Sequence, residues 1–319
     1  MDYFLGIDVG SVSTNIVVIN NKLKIENALY IRTHGDPLTS VKNGLKQLQV
    51  ILKKDSKIKG ASVTGSARYL IGAMVNADVI KNEITSHAIA AITYYPNTKT
   101  IIEIGGQDSK IILIKNNIVY DFAMNNVCAA GTGSFLDQQA SRLGIPIEEF
   151  GTKALNSKVD VSIAGRCTVF AESDMIHKQQ LGYSINDIIN GLCNALVRNY
   201  FNTVGKGKEI KQDILFQGGV AANIGIKKAF ENYLKKEIII PKHYNVMGAL
   251  GASILALKNY KKTNKKTKFK GFKITNKNYK TTSFLCKSCP NYCEVIQFLE
   301  DNKRIAYFGD RCQKYSNLK

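Results

Sequence analysis

No apolar run in the 319-residue sequence is long enough to cross a bilayer. The longest, Met247 to Leu257, falls well short of the ~20 residues that such a helix needs. The first residues, Met1-Asp2-Tyr3-Phe4-Leu5, lack the basic, apolar and small-residue layout of a secretory leader. These absences predict a soluble, cytoplasmic protein with no membrane partner. No G-x-x-x-x-G-K-[S/T] stretch occurs either, which excludes a P-loop nucleotide site. Acidic residues are scarce, 25 Asp plus Glu against 44 Lys plus Arg, for a net charge of +19. From Lys258 to Lys280 there is no acid at all among ten lysines, so the rest of the chain carries 19 − 10 = +9. Just over half of the excess therefore sits in what reads as a solvated linker, 259–283, and nucleic acid is not the expected partner. Cysteine is sparse and odd in number, seven in all. An odd, uneven set argues against a disulfide framework and for reduced thiols used for metal or redox chemistry. At this length two domains are expected.

What is present begins with an apolar strand, a small polar turn and a second strand, Phe4-Leu5-Gly6-Ile7-Asp8-Val9-Gly10-Ser11-Val12-Ser13-Thr14-Asn15-Ile16-Val17-Val18-Ile19. The pattern returns 95 residues later as Ile101-Ile102-Glu103-Ile104-Gly105-Gly106-Gln107-Asp108-Ser109-Lys110-Ile111-Ile112. Asp8 answers to Glu103, Gly10 to Gly105 and Thr14 to Ser109. Such self-similarity marks a duplicated supersecondary unit. Glycines and small hydroxyl residues let backbone N–H groups approach phosphate oxygens. That makes Gly10, Ser11, Ser13, Thr14, Gly105, Gly106 and Gln107 candidate phosphate-binding residues. A third element, Ile214-Leu215-Phe216-Gln217-Gly218-Gly219-Val220-Ala221-Ala222-Asn223, is a buried strand ending in Gly-Gly before a helix. A fourth, Val246-Met247-Gly248-Ala249-Leu250-Gly251, starts a helix whose small residues permit close approach to nucleotide or to a neighbouring element.

Helical spacing runs over 37–53 through Val41, Leu45, Leu48 and Ile51. It runs again over 184–204 through Ile185, Ile188, Ile189, Leu192, Leu196 and Val197. His87 lies in a small-residue helical run and reads as structural. Cys193, on the apolar side of the second helix, reads as a buried, inert thiol.

Together these elements resemble the actin, Hsp70 and sugar-kinase superfamily. The resemblance implies a duplicated ribonuclease H-like α/β fold in which two hairpins grip ATP across a cleft. Lobe I would be about 1–95 plus the helix 245–258, and lobe II about 96–244. It further implies ATP contacts from Gly218, Gly219, Val220, Asn223, Gly248 and Ala249. Asp8 suits Mg2+, a hard cation that prefers oxygen ligands. Glu103 or Asp108 would position the attacking water.

Two segments set this chain apart within that superfamily. One is Asn125-Asn126-Val127-Cys128-Ala129-Ala130-Gly131-Thr132-Gly133-Ser134; the other is Gly165-Arg166-Cys167-Thr168-Val169-Phe170-Ala171-Glu172-Ser173-Asp174. Each places a cysteine at the head of a helix-like stretch, where unsatisfied amides and the helix dipole favour a thiolate. Over residues 1 to about 258 the chain resembles the 2-hydroxyacyl-CoA dehydratase activators (archerases), CoA-substrate-specific enzyme activases of the BadF/BadG/BcrA/BcrD type.

The resemblance implies that Cys128 and Cys167 are ligands of a 4Fe-4S cluster and that Gly131, Thr132 and Gly133 lie by the nucleotide. Such a cluster wants four thiolates and one chain supplies two here, so a twofold homodimer sharing one cluster is expected. ATP binding and hydrolysis would then drive single low-potential electrons to a 2-hydroxyacyl-CoA dehydratase. Reduced ferredoxin or flavodoxin would recharge the protein. A benzoyl-CoA-type reductase or another cluster protein is an alternative partner, and a small-molecule kinase of the same fold is the alternative activity.

After the lysine stretch, 284–319 carries Cys286-Lys287-Ser288-Cys289-Pro290-Asn291-Tyr292-Cys293 and later Cys312. This spacing suits a second cluster or a Zn2+ knuckle, with free thiols as the alternative.

Overall fold

A computed structural model of the chain describes residues 1–53, 55–125 and 128–316. The described residues fall into two compact units, Met1–Ile89 with Gly248–Lys319, and Ala90–Met247.

The first unit opens with β1 (Asp2–Val9), β2 (Ser13–Asn20) and β3 (Ile25–Arg32), followed by α1 (Pro37–Ile51), β4 (Lys57–Thr64), α2 (Arg68–Val75), β5 (Val79–Ile80) and α3 (Glu83–Tyr94), the last shared with the second unit. The strand order is β3-β2-β1-β4-β5. β1 runs antiparallel to β2 and parallel to β4, as the crossover through α1 requires. Phe4, Leu5, Ile7 and Val9 are all buried, which explains why β1 reads as a continuous apolar run rather than an alternating one. Asp36 caps α1 by accepting from the Thr39 amide at 3.0 Å, and Pro37 fits the first turn. Val41, Leu45 and Leu48 enter the core as their spacing predicts, whereas Ile51, in the last turn, is half exposed.

The second unit repeats the plan. It contains β6 (Thr100–Ile104), β7 (Ser109–Lys115), β8 (Ile118–Asn125), α4 (Gly133–Arg142), α5 (Ile147–Leu155), α6 (Thr168–Gln180), α7 (Ile185–Thr203), β9 (Ile214–Gln217), α8 (Ile224–Leu234) and β10 (Ile238–Ile239). Its sheet order, β10-β9-β6-β7-β8, is the first sheet's order with β6 in the place of β1. β6 is antiparallel to β7 and parallel to β9, as β1 is to β2 and β4. The duplication visible in two hairpins therefore extends through all five strands. α7 is the spine of this core: Ile188, Ile189, Leu192, Leu196 and Val197 are buried, while Ile185 at its first position is exposed.

α9 (Met247–Thr263) begins at the unit boundary and lies on the first sheet. A Cβ at Gly6 would fall 2.0 Å from the Ala249 carbonyl oxygen, and one at Gly60 would fall 3.1 Å from that of Ala256. Glycine on β1 and β4 thus sets how closely this helix rides on the sheet.

The lysine-rich stretch is not a solvated linker. α9 continues to Thr263, and the chain then docks on the first unit, where the Lys268 amide donates to Asp78 Oδ1 at 2.7 Å and the Lys270 amide to the Val75 carbonyl at 3.2 Å. Ile274 is 2% exposed, in the same core as Val41, Leu45 and Leu48. Apolar residues spaced among the lysines bury, and lysine heads meet carboxylates, as Lys277 does Asp301 at 2.6 Å. β11 (Tyr279–Leu285), β12 (Glu294–Glu300) and β13 (Lys303–Phe308) form a three-stranded antiparallel sheet whose Phe298 is buried in that core. No helix among the described residues is long and apolar enough to cross a membrane.

Candidate functional site

The two hairpin turns close in the same way. The Gly10 amide donates to the Ser13 carbonyl at 2.9 Å, and the Gly105 amide to the Asp108 carbonyl at 3.0 Å. In the first turn Ser11 is exposed and Ser13 half-buried, while Thr14 is buried with its hydroxyl 3.1 Å from that of Thr33. Thr33 in turn donates to the Gly10 carbonyl at 3.0 Å. Thr14 and Thr33 therefore brace the turn from beneath, a role sequence reasoning missed for Thr33 because it lies in the loop after β3. In the second turn Gly105 and Gly106 are half-buried and Gln107 is exposed.

In the first unit, Asp8 at the end of β1 lies beside Gly248. A Cβ there would fall 2.0 Å from Asp8 Oδ2 and 3.2 Å from His87 Nε2. Gly248 thus leaves the space that the Asp8 carboxylate and the buried His87 imidazole border. Ala249, expected near nucleotide, is fully buried and its carbonyl packs on Gly6.

In the second unit the two candidate carboxylates are joined by a residue the sequence reading passed over. Lys110, 2% exposed, places Nζ 2.9 Å from Glu103 Oε2 and 2.9 Å from Asp108 Oδ2. Glu103 is buried at 4% and Asp108 is part-exposed. A lysine in an Ile-rich strand gives no periodic signal, since it points inward where an apolar residue is expected. Gly218 has φ +90°, and a Cβ on it would fall 2.8 Å from Glu103 Oε1 and 2.3 Å from the Ile104 carbonyl oxygen. The Gly-Gly turn after β9 therefore lies directly against β6. Gly219 is exposed and Val220 is buried in the core. Asn223, expected to contact nucleotide, uses its side-chain oxygen to accept from the Ile226 amide at 3.1 Å and so caps α8.

The first cysteine segment is hydrogen-bonded to the second hairpin turn. The Gly133 amide donates to the Gly105 carbonyl at 2.9 Å and the Ser134 amide to the Gly106 carbonyl at 2.8 Å. The Thr132 hydroxyl donates to the Ala129 carbonyl at 2.8 Å, and Gly131 is buried. Gly131, Thr132 and Gly133 thus spend their polar groups or space inside the protein. Cys128 is half-buried and precedes a 3-10 turn at Ala129–Gly131, with α4 starting only at Gly133, so its helix head is a single turn. Asn126 and Val127 of this segment lie outside the described residues. Cys167, also half-buried, is the N-terminal residue flanking the 13-residue α6.

Both cysteine turns rest on one stretch of α7. A Cβ at Gly165 would fall 2.9 Å from the Ala195 carbonyl oxygen, and one at Gly131 would fall 2.8 Å from Asn199 Oδ1. Arg142 of α4 and Glu172 of α6 pair at 2.8 Å and tie the helices that follow the two cysteines. Cys193 is fully buried, and burial pushes its thiol up to about 12, which suits its reading as inert.

The tail cysteines are not gathered as the metal-site expectation requires. Among the described residues no three His, Cys, Asp or Glu side chains form a group able to hold a metal ion. Cys286 is buried, Cys289 and Cys293 are half-buried, and Cys312 is exposed. The backbone amide and the hydroxyl of Ser288, and then the Tyr315 hydroxyl, hydrogen-bond Cys286 and hold its thiol below the ordinary value.

A duplicated five-stranded α/β unit with paired glycine hairpins is the ribonuclease H-like fold of the actin and Hsp70 type. The chain belongs to the BadF/BadG/BcrA/BcrD ATPase family, whose profile matches residues 5–256. It is 35% identical to a 2-hydroxyisocaproyl-CoA dehydratase activator from Clostridioides difficile, over 83% of this chain and 99% of that one. It is 34% identical to an (R)-2-hydroxyglutaryl-CoA dehydratase activating ATPase from Acidaminococcus fermentans, over 80% and 97% of the two chains. The solved structure of the 2-hydroxyisocaproyl-CoA dehydratase activator with bound ADPNP superposes with a TM-score of 0.76 at 34% identity, covering 82% of this chain and 97% of that one.

Proposed function

We propose that this protein is an ATP-hydrolysing activator that supplies single low-potential electrons to a 2-hydroxyacyl-CoA dehydratase or a related enzyme. It would act as a homodimer in which two copies hold one 4Fe-4S cluster through Cys128 and Cys167. The observation that carries the reading is the pair of hydrogen bonds from Gly133 and Ser134 to Gly105 and Gly106. They tie a glycine-rich phosphate turn to a loop bearing one of the two cysteines. A shift of that turn on nucleotide exchange is passed to Cys128 through five residues of chain. α7 and the Arg142–Glu172 pair carry the same shift to the Cys167 turn.

The donor set suits the group. Both thiols are half-buried rather than sealed, neither caps its own helical segment by hydrogen bond, and Val169 and Phe170 beside Cys167 are 67% and 65% exposed. Exposed apolar side chains next to a ligand cysteine favour a subunit face. A bound 4Fe-4S cluster supplies one-electron storage at low potential. Reduced ferredoxin or flavodoxin would be the electron source.

On the nucleotide side, each hairpin offers backbone amides to phosphate. Asp8 offers an oxygen ligand for Mg2+. Glu103 and Asp108, held by Lys110, are the groups able to position water. Gly218, Gly219 and Val220 would bound the adenosine end.

The reading is tested by anaerobic purification followed by iron, sulfide and absorbance analysis of wild type, Cys128→Ser and Cys167→Ser. One cluster per two chains is expected in wild type, with loss of both cluster and dimer in either variant. Retention of the full cluster in both variants would refute it.

A further inference from the structure

The C-terminal sheet carries four cysteines that the activator reading leaves unused, and its geometry favours one pair among them. β11 and β12 are in register from Tyr279 opposite Glu300 to Leu285 opposite Glu294. The next pair outward is Cys286 and Cys293, and the Cys286 amide donates to the Cys293 carbonyl at 2.8 Å. Residues opposite each other at a hydrogen-bonded position of antiparallel strands, the position this single bond marks, have Cα atoms about 5.5 Å apart. That lies inside the roughly 4.4–6.8 Å that a disulfide spans. Their side chains leave the same face of the ladder. Cys289 sits instead in the connecting turn, where its carbonyl accepts from the Tyr292 amide, and Cys312 is exposed beyond β13.

A second turn is clasped onto the first. Lys314 Nζ donates to the Ser288 hydroxyl at 2.8 Å. Asp310, 8% exposed, accepts from the Tyr315 amide at 2.7 Å and the Ser316 amide at 3.0 Å. Gly309, at φ +96°, packs where a Cβ would fall 2.5 Å from the Glu294 carbonyl oxygen, beside Cys293. The clasp seats Tyr315 and Ser288 as donors around Cys286.

We propose that Cys286 and Cys293 are a redox-modification site, a dithiol that closes into a cross-strand disulfide when a small-molecule disulfide reaches the tail. The half-buried Cys293, as thiolate, attacks one sulfur of the oxidant RS–SR; a Cys293–SR bond forms and RS⁻ leaves. The Cys286 thiolate then attacks the Cys293 sulfur, the Cys286–Cys293 bond forms and the second RS⁻ leaves. Two cysteine sulfurs are oxidised, the small disulfide is reduced to two thiols, and the two protons lost by the cysteines end on those thiols. Closure turns the thiol that Ser288 and Tyr315 hydrogen-bond into a disulfide sulfur, a weak acceptor, so the clasp over 310–316 loosens.

The test uses the full-length protein, purified anaerobically and incubated with oxidised glutathione, then alkylated and mapped by peptide mass spectrometry. A peptide linking Cys286 to Cys293 is expected, with two fewer alkylated tail cysteines. The link should vanish in Cys286→Ser and Cys293→Ser and persist in Cys289→Ser and Cys312→Ser. A link from Cys286 to Cys289 or Cys312, or no link at all, overturns the proposal. So does stoichiometric zinc or iron that shields the tail thiols and is lost in Cys286→Ser but kept in Cys128→Ser. The Cys289→Ser map decides the pairing even if the Cys286 variant fails to fold.

Discussion

Lys110 shows how one residue can carry both fold and site. Its ammonium lies 2.9 Å from each of two carboxylates, one of them almost wholly buried. Removing the cation leaves Glu103 enclosed without its counter-charge, and breaking a buried pair from one side typically costs about 3–5 kcal/mol. Lys110→Met should therefore lower the unfolding free energy by about that amount in urea titration, and ATP hydrolysis should fall with it. An unchanged denaturation midpoint would show that the cation does not hold the pair. The strand in which Lys110 sits was legible from its isoleucines. The inward direction of the lysine was not, because a strand's period fixes which residues share a face but not which face meets the core.

At the scale of elements, Asp187 illustrates a carboxylate used as a clip. It accepts from the Ser184 hydroxyl at 2.6 Å, and from the Lys158 amide at 2.7 Å, the Val159 amide at 3.0 Å and the Ser157 hydroxyl at 2.9 Å, so it joins the start of α7 to the chain after α5. The Ser184 bond first, then the Val159 and Lys158 amides, hold its carboxyl far below the usual carboxylate range. A depressed folded pKa means that this stabilisation is present in full above the unfolded value, about 4. It is lost as pH falls from there toward the folded value. Thermal melts should show wild type losing stability below about pH 4 more steeply than Asp187→Asn, which has less to lose. Parallel curves would refute the clip. The helices themselves were readable from apolar spacing, and 37–51 and 185–203 lie where that spacing places them. Their end residues Ile51 and Ile185 escape burial because a helix leaves its core contact at its ends. Asn223 caps α8, a role its type allows from sequence because capping and ligand-binding turns draw on the same small polar residues.

For the molecule as a whole, the C-terminal segment is part of the first unit's core. Ile274→Ala should destabilise by about 2–5 kcal/mol, the usual range for emptying a buried aliphatic site. The drop is read as a lower melting temperature of the full chain; a neutral result would mean that 264–316 is an appendage after all. The sequence alone determined the duplicated hairpins, the ATPase family and the two cysteine segments, because strand periodicity, glycine turns and local motifs are short-range signals. Tertiary structure alone decided that the repeat spans five strands, and that Lys110 bridges Glu103 and Asp108. It also decided that Asp8 and His87 both border Gly248, and that a lysine-rich stretch buries Ile274. Each of these depends on atoms brought together from distant positions, where packing space and compensating charge, rather than residue type, set the outcome.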